Sequence, residues 1–128
     1  MFIKTLRITL LLSFLTPVNS YAQKGDAVKG KRVWTKCRAC HTLDEGGKNR
    51  IGPNLYGVIN KAAGTVDGFK YSKPMAASGI LWTNENMRKF LKSPRKFMKG
   101  TKMSFAGIRK DEQINDLMAY IAEKTGEN

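Results

Sequence analysis

Apolar residues recur at helical spacing in two long stretches of this chain. Ile114, Leu117, Met118, Ile121 and Ala122 follow the i, i+3, i+4, i+7, i+8 pattern of an amphipathic helix. That helix is predicted to start near Asp111 and to end before Gly126. Met87, Phe90 and Leu91 mark the inner face of another, with Thr83 as N-cap and Pro94 as its stop. A weaker pattern places Ala27, Gly30, Val33 and Trp34 on one face of a helix capped by Asp26. This first helix would run to about Cys37. Gly30 inside it costs about 1 kcal/mol relative to Ala, which makes sense where another helix crosses closely. Pro74 opens a short helix to Ala77, ended by Gly79, and residues 42–63 read as a Gly-, Asn- and Lys-rich loop. No segment sustains strict alternation, so the fold class is all-α.

Before these elements, Met1 to Ala22 carries Lys4 and Arg7, an apolar run from Ile8 to Leu15, and Ser20-Tyr21-Ala22 as a small-x-small cleavage pattern. The run is too short to cross a bilayer core, which needs about 20 residues. Residues 1–22 are therefore read as a secretory signal peptide, with retention as an uncleaved anchor the alternative. Residues 23–128 then form one small domain, expected as a monomer, with no repeat, low-complexity tract or linker.

Composition sharpens the chemistry. The 128 residues contain two cysteines and one histidine, and all three lie in Cys37-Arg38-Ala39-Cys40-His41. Thiols three positions apart on one helical turn can reach the two vinyl groups of one porphyrin. The histidine that follows lies under the ring, where its imidazole can bind iron. A zinc site would need further soft or imidazole donors, and none exist here. A thioredoxin-type couple belongs beside a βαβ pattern, which is absent. The residues thus point to one c-type haem, attached through Cys37 and Cys40 and held by His41. Export suits this, because the thiols must meet haem outside the cytosol.

The other axial position of the iron needs a different residue type. Met75 in its short helix and Met87 and Met118 on helix faces read as packing residues. Met103 stands apart, in the irregular, glycine-bearing stretch 99–107, where the backbone is free to lie over a planar ligand. Met103 and, after it, Met98 are the candidates, since thioether ligation is an established haem mode.

At this level of detail the chain resembles the class I cytochromes c, in particular the mitochondrial cytochrome c and bacterial cytochrome c2 group. The likeness spans Gly25 to about Thr125. It rests on Cys37-Arg38-Ala39-Cys40-His41-Thr42, Gly52-Pro53-Asn54-Leu55, Tyr71-Ser72, Gly79-Ile80-Leu81-Trp82, Gly100-Thr101-Lys102-Met103 and Phe105-Ala106-Gly107. The resemblance implies a small cytochrome c fold with first and last helices crossing at Gly30, Trp34, Leu117 and Tyr120. It implies His41 and Met103 as axial ligands and the Pro53 carbonyl as acceptor from the other imidazole nitrogen. It also implies Tyr71, Trp82 and Thr101 as donors to the haem propionates, and Phe105 as the aromatic at the haem edge. Three departures are visible. Lys61 stands where relatives often have arginine, Phe90 where tyrosine is frequent, and Lys99 at a common proline position.

The charge then says how such a protein meets others. The chain carries +13, and loss of Lys4 and Arg7 with the leader leaves +11. Such a surplus concerns partners and association rates rather than fold. Nucleic acid is disfavoured by export and by the lack of a stacking motif or known nucleic-acid module. Acidic docking surfaces of redox proteins, such as a bc1-type complex and a terminal oxidase or reductase, are the expected partners, with weaker association to anionic membranes. Lys36, Lys48, Arg95, Lys96, Lys99 and Lys102 flank the haem-binding segments and would ring the exposed edge. With both axial positions filled, the expectation is a one-electron carrier in the bacterial periplasm and not an enzyme. The alternatives are a haem peroxidase or ligand-binding protein with a labile Met103 bond, or a thiol module with no haem.

Overall fold

The computed structural model describes residues 24–127, so the signal-peptide reading of residues 1–22 lies outside the described residues. Five helices follow one another: α1 (Ala27–Trp34), α2 (Lys73–Ala77), α3 (Asn84–Lys92), α4 (Pro94–Phe97) and α5 (Asp111–Thr125). Among the described residues there is no sheet, only one antiparallel bridge between Ala62 and Leu81. The fold is all-α.

Local signals set the helix ends. The Asp26 carboxylate accepts from the backbone N–H of Val28 and Lys29 at the start of α1. Ser72 and Thr83 cap α2 and α3 in the same way. α5 starts without a side-chain cap but carries Asp111 and Glu112 in its first turn, where the helix dipole favours negative charge. It stops at Gly126, whose φ of +70° is cheap only for glycine. Two boundaries differ from expectation. α1 ends at Trp34, and turns rather than regular helix carry the chain on to Cys40. Pro94 does end α3, but it also begins α4, because proline loses nothing at a helix's first position, where its missing N–H would have no partner.

The core is assembled where α1 and α5 cross. An added Cβ on Gly30 would lie 1.9 Å from the Asp116 carbonyl oxygen and 2.7 Å from Tyr120 Cβ, so only glycine permits this approach. Trp34 and Tyr120 pack beside it with ring centroids 6.4 Å apart, and Leu117 is fully buried. Asp116 is buried as well, and its carboxylate accepts from the Asp26 N–H at 2.7 Å, tying the lead-in of α1 to α5. A second cluster joins Trp82, Phe90 of α3 and Phe97 of α4, with centroids 5.0 to 6.3 Å apart.

Candidate functional site

The turn after α1 presents three reactive side chains in five residues. Backbone N–H groups of Cys40 and His41 both donate to the Cys37 carbonyl, each at 3.0 Å, which curls the segment tightly. Both thiols are free and half-buried. Burial pushes the Cys37 thiol up to about 11, with Lys36 acting in the opposite direction.

His41 is held from several sides. Its Nδ1 lies 2.8 Å from the Pro53 carbonyl oxygen, so Nδ1–H donates and Nε2 is left with its lone pair. Burial pushes its pKa below the usual histidine range, with the Pro53 hydrogen bond working against that shift. Gly52 lies flat against the imidazole, and an added Cβ there would sit 2.3 Å from Cε1. The Gly52 N–H donates to the Cys40 carbonyl at 2.8 Å, and the Leu55 N–H donates to the Thr42 carbonyl at 2.9 Å. Asn54 completes the scaffold. Its Nδ2 donates to Thr42 Oγ1 at 2.6 Å and to the Asp44 carbonyl at 3.0 Å, while its Oδ1 accepts from the Tyr56 N–H at 3.1 Å. The sequence reading placed Asn54 in the motif but gave it no role; the turn-forming habit of asparagine was the available signal.

The methionines separate by burial. Met75, Met87, Met98 and Met118 are all in the hydrophobic core. Met103 is only half-buried and packs against the core's edge, in the helix-free stretch between α4 and α5. Met98, the second candidate from sequence, is one of the four buried in the core.

Three polar side chains have a proton to give. The Tyr71 hydroxyl accepts from the Val66 N–H at 3.2 Å, which leaves its own hydrogen for another acceptor, and partial burial raises its pKa. Thr101 Oγ1 accepts from the Met103 N–H at 3.3 Å and is in the same position. Trp82 is buried, and among the described residues its indole N–H has no acceptor. Donors of this kind, with no protein carboxylate opposite them, fit the two propionates of a haem. Phe90 is packed against Trp82 and offers no hydroxyl there. Lys61 is exposed, and its carbonyl accepts from the Trp82 N–H at 2.8 Å.

The donor set thus fits one group: two thiols and an oriented imidazole on a single turn, a cradle only glycine allows, and a thioether in a loop beyond it. An all-α domain with this arrangement is a c-type haem domain. The sequence model of the cytochrome c family matches residues 27–124. The chain belongs to the cytochrome c family. It is 42% identical to cytochrome c of Stellaria longipes, over 80% of this chain and 96% of the relative. It is 42% identical to cytochrome c-550 of Nitrobacter winogradskyi, over 77% and 91% respectively. Among solved structures it is similar to cytochrome cH from Methylobacterium extorquens, with a TM-score of 0.73, 36% identity, and coverage of 77% of this chain and 99% of that one. As a member of this family the chain carries a covalent haem c through Cys37 and Cys40 and is an electron carrier working with redox partner proteins.

Proposed function

We propose that this protein is an exported, soluble one-electron carrier whose haem iron is bound by His41 and Met103. The observation that carries this reading is the His41–Pro53 hydrogen bond, which leaves Nε2 as the only free lone pair on the ring. Met103 is the one methionine of the described residues that core packing does not claim. When bound, the haem supplies a one-electron iron couple. Two neutral ligands, one of them a thioether, favour the reduced state and raise the potential. His41 and Met103 would together hold the iron and leave no coordination position for a substrate, so electron transfer is the function this reading assigns. Tyr71, Trp82 and Thr101 would hold the propionates, and Phe105, half-buried at the core's margin, would lie at the edge.

Cations surround these segments. Lys36, Lys48, Arg95, Lys96 and Lys99 are exposed and free to meet an acidic partner surface such as that of a bc1-type complex or a terminal oxidase or reductase. The periplasm is the compartment this reading assigns. The optical spectrum of the purified protein tests the ligation. A sharp reduced c-type spectrum, with the weak red band of methionine-ligated ferric haem, is expected in the native chain and is expected to vanish in Met103→Ala. Persistence of that band in Met103→Ala would overturn the assignment. Second-order electron transfer with an acidic partner should slow steeply with salt, and a salt-independent rate would count against the docking reading.

A further inference from the structure

The aspartates of this chain are engaged, with one exception. Asp26 caps α1, and the Asp116 carboxylate accepts from the Asp26 N–H. Asp111 pairs with Lys92, and Asp44 lies 3.9 Å from Lys124. Asp67 is exposed, and its carboxylate has no hydrogen bond or ion pair among the described residues. It is also the one aspartate that precedes a glycine.

Asp67 and Gly68 form the tip of a tight turn. The Phe69 N–H donates to the Val66 carbonyl at 3.4 Å, a long bond. Gly68 has φ +71°, whereas Asp67 keeps the ordinary negative sign. This is the pattern of a type II turn, in which the first central residue has ψ of about +120°. The Gly68 N–H donates to nothing among the described residues. With no Cβ beside it this nitrogen is unhindered, and glycine's backbone freedom lets the peptide before it rotate.

We propose that Asp67-Gly68 is a site of spontaneous isoaspartate formation. The Gly68 amide nitrogen attacks the Asp67 carboxyl carbon, a C–N bond forms, and the carboxyl hydroxyl leaves with the amide proton as water. Water then opens the resulting succinimide. Opening at the former main-chain carbonyl breaks its bond to nitrogen and leaves the chain running through the Asp67 Cβ. The water lost is regained, so the product is an isomer of equal mass and no electron is transferred.

Asn49 sets the rate. In the turn as it stands the Gly68 nitrogen is directed away from the Asp67 Cβ, so ring closure requires the peptide between them to rotate by roughly 120°. Asn49 Nδ2 donates to the carbonyl of that same peptide at 2.9 Å. Asn49 is itself anchored, its Oδ1 accepting from the Asn54 N–H at 2.9 Å. The Asn49 bond must break before the ring can close. Once formed, isoaspartate adds a methylene to the main chain and displaces the carbonyl that Asn49 holds. It also lengthens the segment closed by the Tyr71 hydroxyl, which accepts from the Val66 N–H. None of this depends on the axial ligands.

The test is ageing of the holoprotein well below its unfolding temperature, with each aspartate assayed for isoaspartate by electron-transfer fragmentation of its peptide. Asp67 is expected to isomerise at least tenfold faster than Asp44, which is also exposed but precedes Glu45. Asn49→Asp keeps the acceptor for Asn54 and removes the donor to Asp67, and is expected to raise the Asp67 rate at least threefold. Asp67→Glu, whose ring would need a sixth member, is expected to abolish the product. An Asp67 rate within twofold of Asp44 overturns the site. An unchanged rate in Asn49→Asp, or a rise shared equally by Asp44, overturns the role of Asn49. The isolated isoaspartate form is expected to unfold at lower urea than the native chain, and equal midpoints would overturn the loosening.

Discussion

The two sides of the candidate haem site are built to different standards of rigidity. On the histidine side, residues 40–56 are cross-linked by a dense set of hydrogen bonds, and Gly52 leaves no space beside the imidazole. On the methionine side, residues 99–107 hang on one long-range hydrogen bond, from Lys102 Nζ to the Lys70 carbonyl, and a few packing contacts. A ligand held by many bonds has a single geometry, whereas a ligand held by few can leave and return. Affinity for the iron and resistance to acid should therefore be decided on the first side. Potential, ligand exchange and adaptation to partners should be decided on the second.

The largest effect is expected from spoiling the rigid side. Gly52→Ala would force a methyl group to within 2.3 Å of the imidazole, and the obstacle is a ring fixed at Nδ1 by the Pro53 carbonyl. A cost of about 3 kcal/mol follows for such overpacking, which lowers the unfolding midpoint by about 15 °C in a domain this size. Calorimetry of the holoprotein checks it. A midpoint within a few degrees of native would mean the scaffold is softer than its hydrogen bonds imply.

Asn54→Ala should come next. It leaves the Tyr56 N–H, the Asp44 carbonyl and Thr42 Oγ1 without their shared partner. The expected loss is about 2 kcal/mol by urea denaturation, since part of the freed groups can turn to water. The methionine band should survive, because the damage lies on the opposite side of the group. Loss of that band with stability intact would reverse the comparison.

Acid gives a third measure of the same side. Burial lowers the folded-state pKa of His41 below its ordinary value of 6.5, so the unfolded chain binds the proton more readily. Stability from this group is complete above that ordinary value and is lost as pH falls through the depressed folded value. With the iron also competing against the proton for Nε2, the native holoprotein should keep its low-spin spectrum well into the acid range. Asn54→Ala should lose it at higher pH, and equal acid midpoints would show that the scaffold does not protect the ring.

Much of this contrast was legible in the sequence, and its limits have physical causes. Gly30 announced the helix crossing because a glycine's cost inside a helix needs a compensating close approach, here to the Asp116 carbonyl. Cys37, Cys40 and His41 stood out because so few residue types can hold haem. Met103 was separable from Met87 and Met118 by periodicity, but Met98 was not, since its burial depends on how α4 folds back under Trp82 and Phe90. α4 itself escaped notice because a proline that ends one helix can begin the next. The inward turn of Lys102 could not be read at all. Its partners, the Lys70 carbonyl and the Phe69 ring, lie 32 and 33 positions upstream, and a backbone carbonyl carries no sequence signature.

The smallest predicted effect acts on the loose side. Lys99 occupies a turn in which its own N–H makes no hydrogen bond among the described residues, so proline there sacrifices no bond. The preceding residue, Met98, has φ −126° and ψ 87°, outside the helical region that a following proline forbids. Lys99→Pro should therefore narrow the unfolded ensemble more than it strains the native loop, a gain of about 0.5–1 kcal/mol. In the holoprotein the same change should lower the affinity of the ferric iron for added imidazole about twofold, because imidazole enters only where Met103 has left and fewer open conformers of the loop remain accessible. A gain in stability without that loss of affinity would place the loop's freedom elsewhere, beyond Met103 in Ser104 to Gly107.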